Sequence, residues 1–487
     1  MEATSKYLME GIGLALEVSG DRMFMSDLGG SLCTASLDGD VQEAARCSGE
    51  SDRRSLRRLI CSSQHISHSR SGWHNKKRNL EEFMSEAQTQ EVKKPKVLPK
   101  PNSDFYQTFQ MLSEAEQQTV LRVRAFMESS VAPVINDFWA KDSFPFDLIP
   151  GFRDLQIAGA GYDGYGCAGG SNLLACYIAM EIAKVDCSFA TFFGVHSGLA
   201  MGSIFLCGSE EQKKKWLPPM ARLEKVGSFG LTEPLVGSGA SRGLGTTARR
   251  EGDTWILNGQ KKWIGNSTFG DLTIIWARDV ADSQVKGFIV ENKSPGFKVE
   301  KIEHKMALRV VQNGHITLED CIVSEENRLQ NDTSFRDTAR VLRMTRGFVA
   351  WEAVGCQMGA FENALLYAQQ REQFGKPIAS FQLVQDLLVK MSGNITACQC
   401  MVVRLSQLQD QGKLADEHAS LAKAFCTVKM RETVGFAREL LGANGILLDY
   451  NVGRFVADSE AIYSYEGTRE MNTLIVGRAL SGFSAFV

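Results

Sequence analysis

The feature that most constrains this fold is the hydrophobic period, which divides the chain into a helical, a strand-rich and a second helical part. Ser113 and Glu116 form a capping box ahead of apolar residues at helical spacing. The stretch from Leu173 to Leu206 is apolar on several faces, which predicts buried helices. Trp216 to Pro219 should end this first part, since proline interrupts a helix. From Gly230 the pattern is that of strands, and after Thr338 it is helical again.

The middle block of about a hundred residues is expected to form a small barrel or sandwich. Asn258-Gly259, inside the segment from Trp255 to Gln260, predicts a hairpin with a type I′ turn. Further strands are expected at residues 273–277, 287–290 and 315–318. The fold class is therefore mainly α with a central β-barrel.

The first hundred residues differ from the rest. Two strand-like runs, at 23–25 and 32–34, look like part of one propeller blade, which could not bury its faces alone. A basic stretch from Asp52 to Asn79 and a Pro/Lys linker from Lys93 to Pro101 follow. A start at Met84 would leave a catalytic chain of normal length. We predict a disordered or vestigial extension and linker at 1–103, a helical domain at 104–229, a β-barrel domain at 230–335 and a helical bundle at 336–487.

Composition excludes several classes of protein. A formal charge of −3 and a pI near 6.2 give no reason to expect a nucleic-acid partner. We expect no apolar run to approach the roughly 20 residues that a membrane span requires. The 12 cysteines lack the spacing of a zinc site, so no metal is expected.

Four motifs carry the functional prediction. They are Leu231-Thr232-Glu233-Pro234 with Gly237-Ser238, Gly259 to Ile264 (GQKKWI), Arg371 to Gly375 (REQFG) with Gln382, and Tyr465-Glu466-Gly467-Thr468. Together they resemble the acyl-CoA dehydrogenase superfamily from about residue 104 to Val487. The likeness is greatest to plant peroxisomal short-chain acyl-CoA oxidases and glutaryl-CoA dehydrogenases. It implies an N-terminal helical domain, a middle β domain and a C-terminal four-helix bundle.

The implied reaction removes a proton from the α carbon and a hydride from the β carbon of an acyl thioester. No amino acid accepts hydride, so a cofactor is needed, and the resemblance implies FAD. It also implies that Glu466 is the base and that Gly467 lets the backbone approach the substrate. Some relatives carry their base at the position of Thr345, where threonine cannot serve.

The resemblance assigns further residues. Arg346 and Ser238 are expected at the CoA substrate, and Trp263 over the flavin ring. Arg371, Phe374 and Gln382 are expected to reach the FAD of a neighbouring subunit, which implies a homodimer or homotetramer. The full set of expected cofactor-binding residues is Phe229, Leu231, Thr232, Ser238, Trp263, Gly265, Arg371, Phe374, Gln382, Gly442, Ala443, Thr468 and Glu470.

The chain departs from the family pattern at several positions. Gly239 replaces a common aspartate, and Arg242 looks like an insertion. Gly265 stands where many dehydrogenases have a threonine that hydrogen-bonds the flavin. The plant short-chain oxidases share this glycine. Ala140 stands where glutaryl-CoA dehydrogenases place an arginine, and adjacent Lys141 should point elsewhere. A short or medium acyl chain is therefore expected rather than a dicarboxylyl one.

Three interpretations remain open. The first is a dehydrogenase of fatty-acid or amino-acid catabolism that forms trans-2-enoyl-CoA and passes electrons to an electron-transfer flavoprotein. The second is an oxidase that passes them to oxygen. The third is a non-catalytic binding or scaffold homologue. The C-terminal Ser484-Ala485-Phe486-Val487 is not a peroxisomal signal, which favours a bacterial-type cytoplasm, with the mitochondrial matrix as an alternative.

Overall fold

The structure, a computed structural model, describes residues 98–485 and four strands near the N-terminus. It separates into two units, Met1–Val97 and Leu98–Val487. In the first unit the strands form an antiparallel sheet in chain order, β1 Ser5–Met9, β2 Leu14–Ser19, β3 Arg22–Asp27 and β4 Leu32–Ser36. The two strand-like runs lie in β3 and β4. The basic stretch at 52–79 and the linker up to residue 97 lie outside the described residues.

The second unit begins with helices α1 to α7: Glu114–Phe126, Ile135–Ala140, Ile149–Asp154, Asn172–Val185, Cys187–Phe193, Met201–Cys207 and Glu210–Ala221. The capping box is confirmed, because Glu116 N–H donates to Ser113 Oγ and Ser113 N–H donates to a Glu116 carboxylate oxygen. The predicted helix end at Trp216–Pro219 was wrong, since α7 continues through both prolines. Its buried Trp216, Leu217 and Met220 offset the backbone hydrogen bonds that the prolines remove.

A turn of π-helix at Gly194–Ala200 joins α5 to α6 and makes one long apolar element, Cys187–Cys207. It is 21 residues long and carries no Asp, Glu, Lys or Arg, so the expectation that no apolar run approaches 20 residues was wrong. In the described part of the chain this is the one helix that passes a length and composition test for a membrane span. Of its most apolar stretch 67% is buried inside the protein, as in the core helix of a folded domain.

The middle part is a curled seven-stranded sheet. Its strands are β5 Gly227–Gly230, β6 Thr247–Glu251, β7 Thr254–Ile264, β8 Leu272–Asp279, β9 Val285–Glu291, β10 Phe297–Lys301 and β11 Gly314–Ser324. Their order is β10-β11-β7-β6-β8-β5, and β9 pairs with β8. A short helix α8, Ala240–Gly243, precedes β6. The three strands expected at 273–277, 287–290 and 315–318 lie within β8, β9 and β11.

The hairpin predicted at Asn258-Gly259 was wrong, because β7 runs straight through both residues. The turn lies instead at Gly252-Asp253, between the paired residues Glu251 and Thr254. Gly259 has a φ of +145°, and a Cβ there would lie 2.6 Å from the Thr246 backbone. Glycine therefore serves a close approach of two chain segments at this position.

The last part is helical, with α9 Phe335–Gln370, α10 Gln382–Asp410, α11 Asp416–Leu441, α12 Val452–Ser464 and α13 Arg469–Ser481. A two-residue hairpin, β12 Glu372–Gln373 with β13 Lys376–Pro377, connects α9 to α10. Helix α9 packs against α4, α10, α11 and α12. One apolar core runs through both helical parts and one face of the sheet, and a smaller core lies within the sheet.

Candidate active site

Glu466 lies in the turn between α12 and α13, with a half-buried side chain. Its backbone is left-handed, with a φ of +56°, which is uncommon for a residue other than glycine. Thr345 Oγ1, on α9, donates to Glu466 Oε2 at 3.0 Å. Burial raises the pKa of the Glu466 carboxyl, while the Arg346 charge, the Thr345 hydrogen bond and the Lys423 charge oppose the rise. The turn therefore presents one carboxylate with increased proton affinity.

The same turn is held from a second side by Lys423 on α11, a lysine that the sequence interpretation missed. Its buried ammonium donates to the carbonyls of Tyr463 at 2.9 Å and Gly467 at 2.7 Å, on either side of Glu466. Burial lowers the pKa of Lys423 to about 7, against the attraction of Glu466. Gly467 itself has a φ of +87°, which favours glycine whatever the substrate requires.

Arg346, the next residue after Thr345, also faces this turn. Its Nε donates to the main-chain carbonyl of Glu466 at 3.4 Å. Burial lowers the pKa of its guanidinium, although the charge of Glu466 opposes this. Arg346 is thus placed beside the candidate base, and its contact with CoA remains a prediction.

The Thr-Glu-Pro and Gly-Gln-Lys-Lys-Trp motifs come together at the sheet. Lys262 N–H donates to the Thr232 carbonyl at 2.8 Å. Phe229 and Leu231 are buried beside it, while Trp263 has a φ of +67° and is 54% exposed. A large aromatic ring is therefore held out from the sheet in an uncommon backbone conformation.

A buried ion pair in these motifs was also missed. The Lys261 Nζ lies 2.8 Å from Glu233 Oε1, and neither side chain is more than 8% exposed. Glu233 also accepts hydrogen bonds from the N–H groups of Gly245 and Thr246, at 2.7 and 2.9 Å. It therefore closes the loop of residues 234–244. Both residues stand in the quoted motifs, but only the fold shows that they meet.

The closed loop contains Ser238 and the two departures from the pattern, Gly239 and Arg242, and all three are exposed. The expected insertion lies in the short helix α8. The contacts of Ser238 with flavin and CoA remain predictions.

One wall connects the sheet half and the helical half of the site. It is the π-helical turn that contains Gly194, Val195 and Gly198. A Cβ on Gly265 would lie 3.2 Å from Val195, and one on Gly198 would lie 3.6 Å from Thr345. The strand end that carries Trp263 and the helix that holds Glu466 therefore pack against the same turn.

The comparisons with known proteins agree with this arrangement. Three domain families match in order: acyl-CoA dehydrogenase N-terminal domain at 113–224, middle domain at 228–321 and C-terminal domain at 335–481. A subunit named CarC of the caffeyl-CoA reductase-Etf complex of Acetobacterium woodii is 31% identical over 75% of this chain and 98% of its own length. The chain belongs to the acyl-CoA dehydrogenase family.

Two further relatives describe its setting within the acyl-CoA dehydrogenase family. The mitochondrial short-chain specific acyl-CoA dehydrogenase of Rattus norvegicus is 29% identical over 75% of this chain and 90% of its own length. A glutaryl-CoA dehydrogenase structure from Mycobacterium smegmatis, in complex with FADH2, has a TM-score of 0.77 and 32% identity over 80% of this chain and 100% of that one. The expected fold class and the expected FAD cofactor are confirmed.

The residues of this acyl-CoA dehydrogenase fit FAD. The exposed, left-handed Trp263 offers a flat apolar face for a ring system. Arg371 is exposed just before the β12–β13 hairpin, and among the described residues no carboxylate forms an ion pair with its guanidinium. A forked cation without a partner suits a pyrophosphate.

The remaining expected cofactor residues lie on exposed or half-exposed helix ends and turns. Phe374 is 91% exposed, and its ring lies 5.9 Å from that of Phe381, next to exposed Gln382. Gly442 and Ala443 are exposed after α11, and Thr468 and Glu470 begin α13, where the Thr468 side chain caps the helix. Such exposure is what a cofactor contact donated to another subunit requires, and these assignments remain predictions.

Proposed function

We propose that this acyl-CoA dehydrogenase converts a short- or medium-chain acyl-CoA to trans-2-enoyl-CoA, with Glu466 as the base. The observation that carries the proposal is a carboxylate of raised pKa, fixed by Thr345 in a left-handed turn between two cations. The α proton of a thioester is only weakly acidic, so a carboxylate of increased proton affinity is a better match for it. The Thr345 hydroxyl fixes one carboxylate oxygen and leaves the other for the proton.

Bound FAD would supply the acceptor for the β hydride. Trp263 would cover its ring, and Arg346 would hold the CoA end of the substrate beside the base. Entry of the acyl chain would expel water from the turn and raise the proton affinity of Glu466 further. In this proposal the protein fixes the two reacting carbons between base and cofactor.

The residues at the end of α2 suit a plain acyl chain better than a dicarboxylyl one. Ala140 and Lys141 are both exposed at the end of α2, so neither offers a buried cation. The nearby Arg309 guanidinium donates to the main-chain carbonyls of Trp139 and Ala140, at 2.9 and 3.0 Å. A buried distal carboxylate without a partner would be costly.

An anaerobic titration tests the proposal. The purified yellow protein is mixed with butyryl-, octanoyl-, palmitoyl- or glutaryl-CoA, and flavin absorbance is followed. We expect butyryl- or octanoyl-CoA to bleach the flavin most completely and glutaryl-CoA to bleach it poorly. A protein that no acyl-CoA bleaches would instead be the scaffold homologue.

An acyl-CoA oxidase is the second candidate. It is favoured by Gly265, where a Cβ would already press on Val195 at 3.2 Å, so the flavin-bonding threonine of many dehydrogenases does not fit without movement. Mixing the reduced protein with air separates the two: return of the yellow colour within milliseconds to seconds means oxidase, and slow return means dehydrogenase.

As a dehydrogenase it would pass electrons to an electron-transfer flavoprotein, in line with the name of the Acetobacterium relative. We further propose a homodimer or homotetramer, because the residues expected at a neighbouring FAD are exposed. A bacterial-type cytoplasm remains the proposed location.

A further inference from the structure

Glu352 is a buried carboxylate with no part in the proposed chemistry. It lies on α9 two helical turns after Thr345, on the same face of the helix. Its side chain is 3% exposed, and its Oε2 accepts a hydrogen bond from the Tyr465 hydroxyl at 2.5 Å. In the described part of the chain it forms no ion pair. An unpaired carboxyl in such a place is costly.

The groups around Glu352 come from three elements. From the α12–α13 turn they are Tyr465 and the charge of Glu466. From α5 it is Thr191, whose hydroxyl lies 3.4 Å from that of Tyr465. From the π-helical turn it is Gly194, where an added Cβ would lie 3.0 Å from Glu352 Oε1. Cys187 also faces the Tyr465 phenol.

Glu352 has an anion near it, Glu466, whereas the two nearby cations act on Glu466. Burial raises the pKa of Glu352 to about 7, the Glu466 charge adds to this, and the Tyr465 hydrogen bond opposes it. The cations Arg346 and Lys423 act on Glu466 instead. Burial and Glu352 together raise the pKa of Tyr465 strongly, so its phenol stays a donor.

The Glu352–Tyr465 pair lies next to Glu466, whose backbone conformation must be stabilised by its surroundings. Glu466 has a left-handed backbone, a conformation that persists only where surrounding contacts fix it. Thr345 holds its side chain and Lys423 holds the carbonyls on both sides. Tyr465 is the adjacent anchor, and its hydroxyl is fixed by Glu352.

We propose that Glu352 is a positioning residue for the reaction: through Tyr465 it fixes the turn that aims Glu466, and its negative charge strengthens Glu466 as a base. This inference rests on the proposed function. Above about pH 7 Glu352 is ionised and disfavours the ionised form of Glu466, which increases the proton affinity of the base. The flavin reduction rate should therefore rise through this pH, and part of the rise comes from Lys423, which loses its charge beside Glu466 at about the same pH.

Rapid anaerobic mixing with butyryl-CoA tests the proposal on the FAD-loaded protein. Glu352→Leu and Tyr465→Phe should each slow flavin reduction by about tenfold to a hundredfold, since small misplacements are costly. The double variant should be no slower than Glu352→Leu alone, because Tyr465→Phe removes the same anchor that Glu352→Leu has already removed. Glu352→Gln keeps an acceptor for Tyr465, so it should retain most of the rate below pH 7 but show a smaller rise near pH 7, the part that Lys423 causes. The substrate concentration for half-maximal rate should not change.

Glu181→Gln is the matched control, since Glu181 is equally buried on a helix but paired with Arg124. It should leave the rate and its pH profile unchanged. The inference is overturned if Glu352→Leu and Tyr465→Phe reduce the flavin at the wild-type rate, if their losses multiply, or if Glu352→Gln keeps the full wild-type rise near pH 7. Should Glu352→Leu fail to fold, Tyr465→Phe and Glu352→Gln decide by the same criteria. Failure of the proposed function looks different, because then no acyl-CoA bleaches the wild-type protein.

Discussion

At the scale of single residues, the site combines a strained backbone with buried ionisable side chains. A left-handed backbone at Glu466 costs on the order of 1–3 kcal/mol. Lys423 and Glu352 are buried close by and each has a pKa shifted to about 7 by that burial. The contacts among them fix one carboxylate, which is the arrangement that proton abstraction from carbon requires.

The Lys261–Glu233 pair is a residue-scale prediction. Lys261→Met leaves Glu233 buried without a cation, so we expect the free energy of unfolding to fall by about 3–5 kcal/mol. The loop that Glu233 closes should also loosen, giving faster trypsin cleavage after exposed Arg242. Urea unfolding and timed proteolysis measure the two effects.

Lys298→Met is the matched control, because Lys298 pairs with Glu319 on the exposed face of the sheet and should contribute at most about 1 kcal/mol. Equal losses in the two variants would mean that burial of the Lys261 pair has no energetic consequence.

The sequence indicated Glu466 as the base and named Thr345 only as a position that cannot supply one, so the groups that hold the turn were not predicted. Lys423 and Glu352 carry no local motif, and their partners are main-chain carbonyls or a phenol far away in the chain. Such contacts follow from helix packing alone, so no spacing in the sequence could have revealed them.

At the scale of elements, two local signals were overridden by packing. Asn258-Gly259 has the chemistry of a turn, yet it lies inside β7, where Asn258 pairs with β6 and Gly259 with β11. The glycine is needed there because Thr246 approaches too closely for a Cβ. Pro218 and Pro219 have the chemistry of a helix end, yet the buried apolar face of α7 carries the helix to Ala221. Tertiary contacts decided both cases.

The segment before and after the β12–β13 hairpin carries another prediction. Arg371→Ala should lower the FAD content of the purified protein and its oligomeric mass together, if this exposed arginine reaches a neighbouring subunit's pyrophosphate. Flavin absorbance per protein and light scattering after gel filtration give the two values. Arg404→Ala, an exposed arginine on α10, should change neither. Unchanged FAD content in Arg371→Ala would refute the placement across subunits.

At the scale of the whole molecule, the order of helices, strands and helices was predictable because the spacing of apolar residues changes from helical to strand-like and back along the chain. The three matched domains follow that order. The boundaries at 103, 229 and 335 remain predictions, as does the vestigial character of the first 103 residues. Oligomeric state could not be derived from the period of one chain, since it depends on surfaces such as exposed Phe374 and Leu383.

The central claim, that one carboxylate at position 466 abstracts the α proton, is tested most directly by rapid anaerobic mixing of Glu466→Gln with butyryl-CoA. Glu319→Gln, which alters an exposed carboxylate, is the control. We predict that Glu466→Gln retains its FAD while flavin reduction slows by at least about 10²–10⁴-fold, the usual contribution of a general base. A variant that still reduces its flavin at half the wild-type rate would contradict the claim.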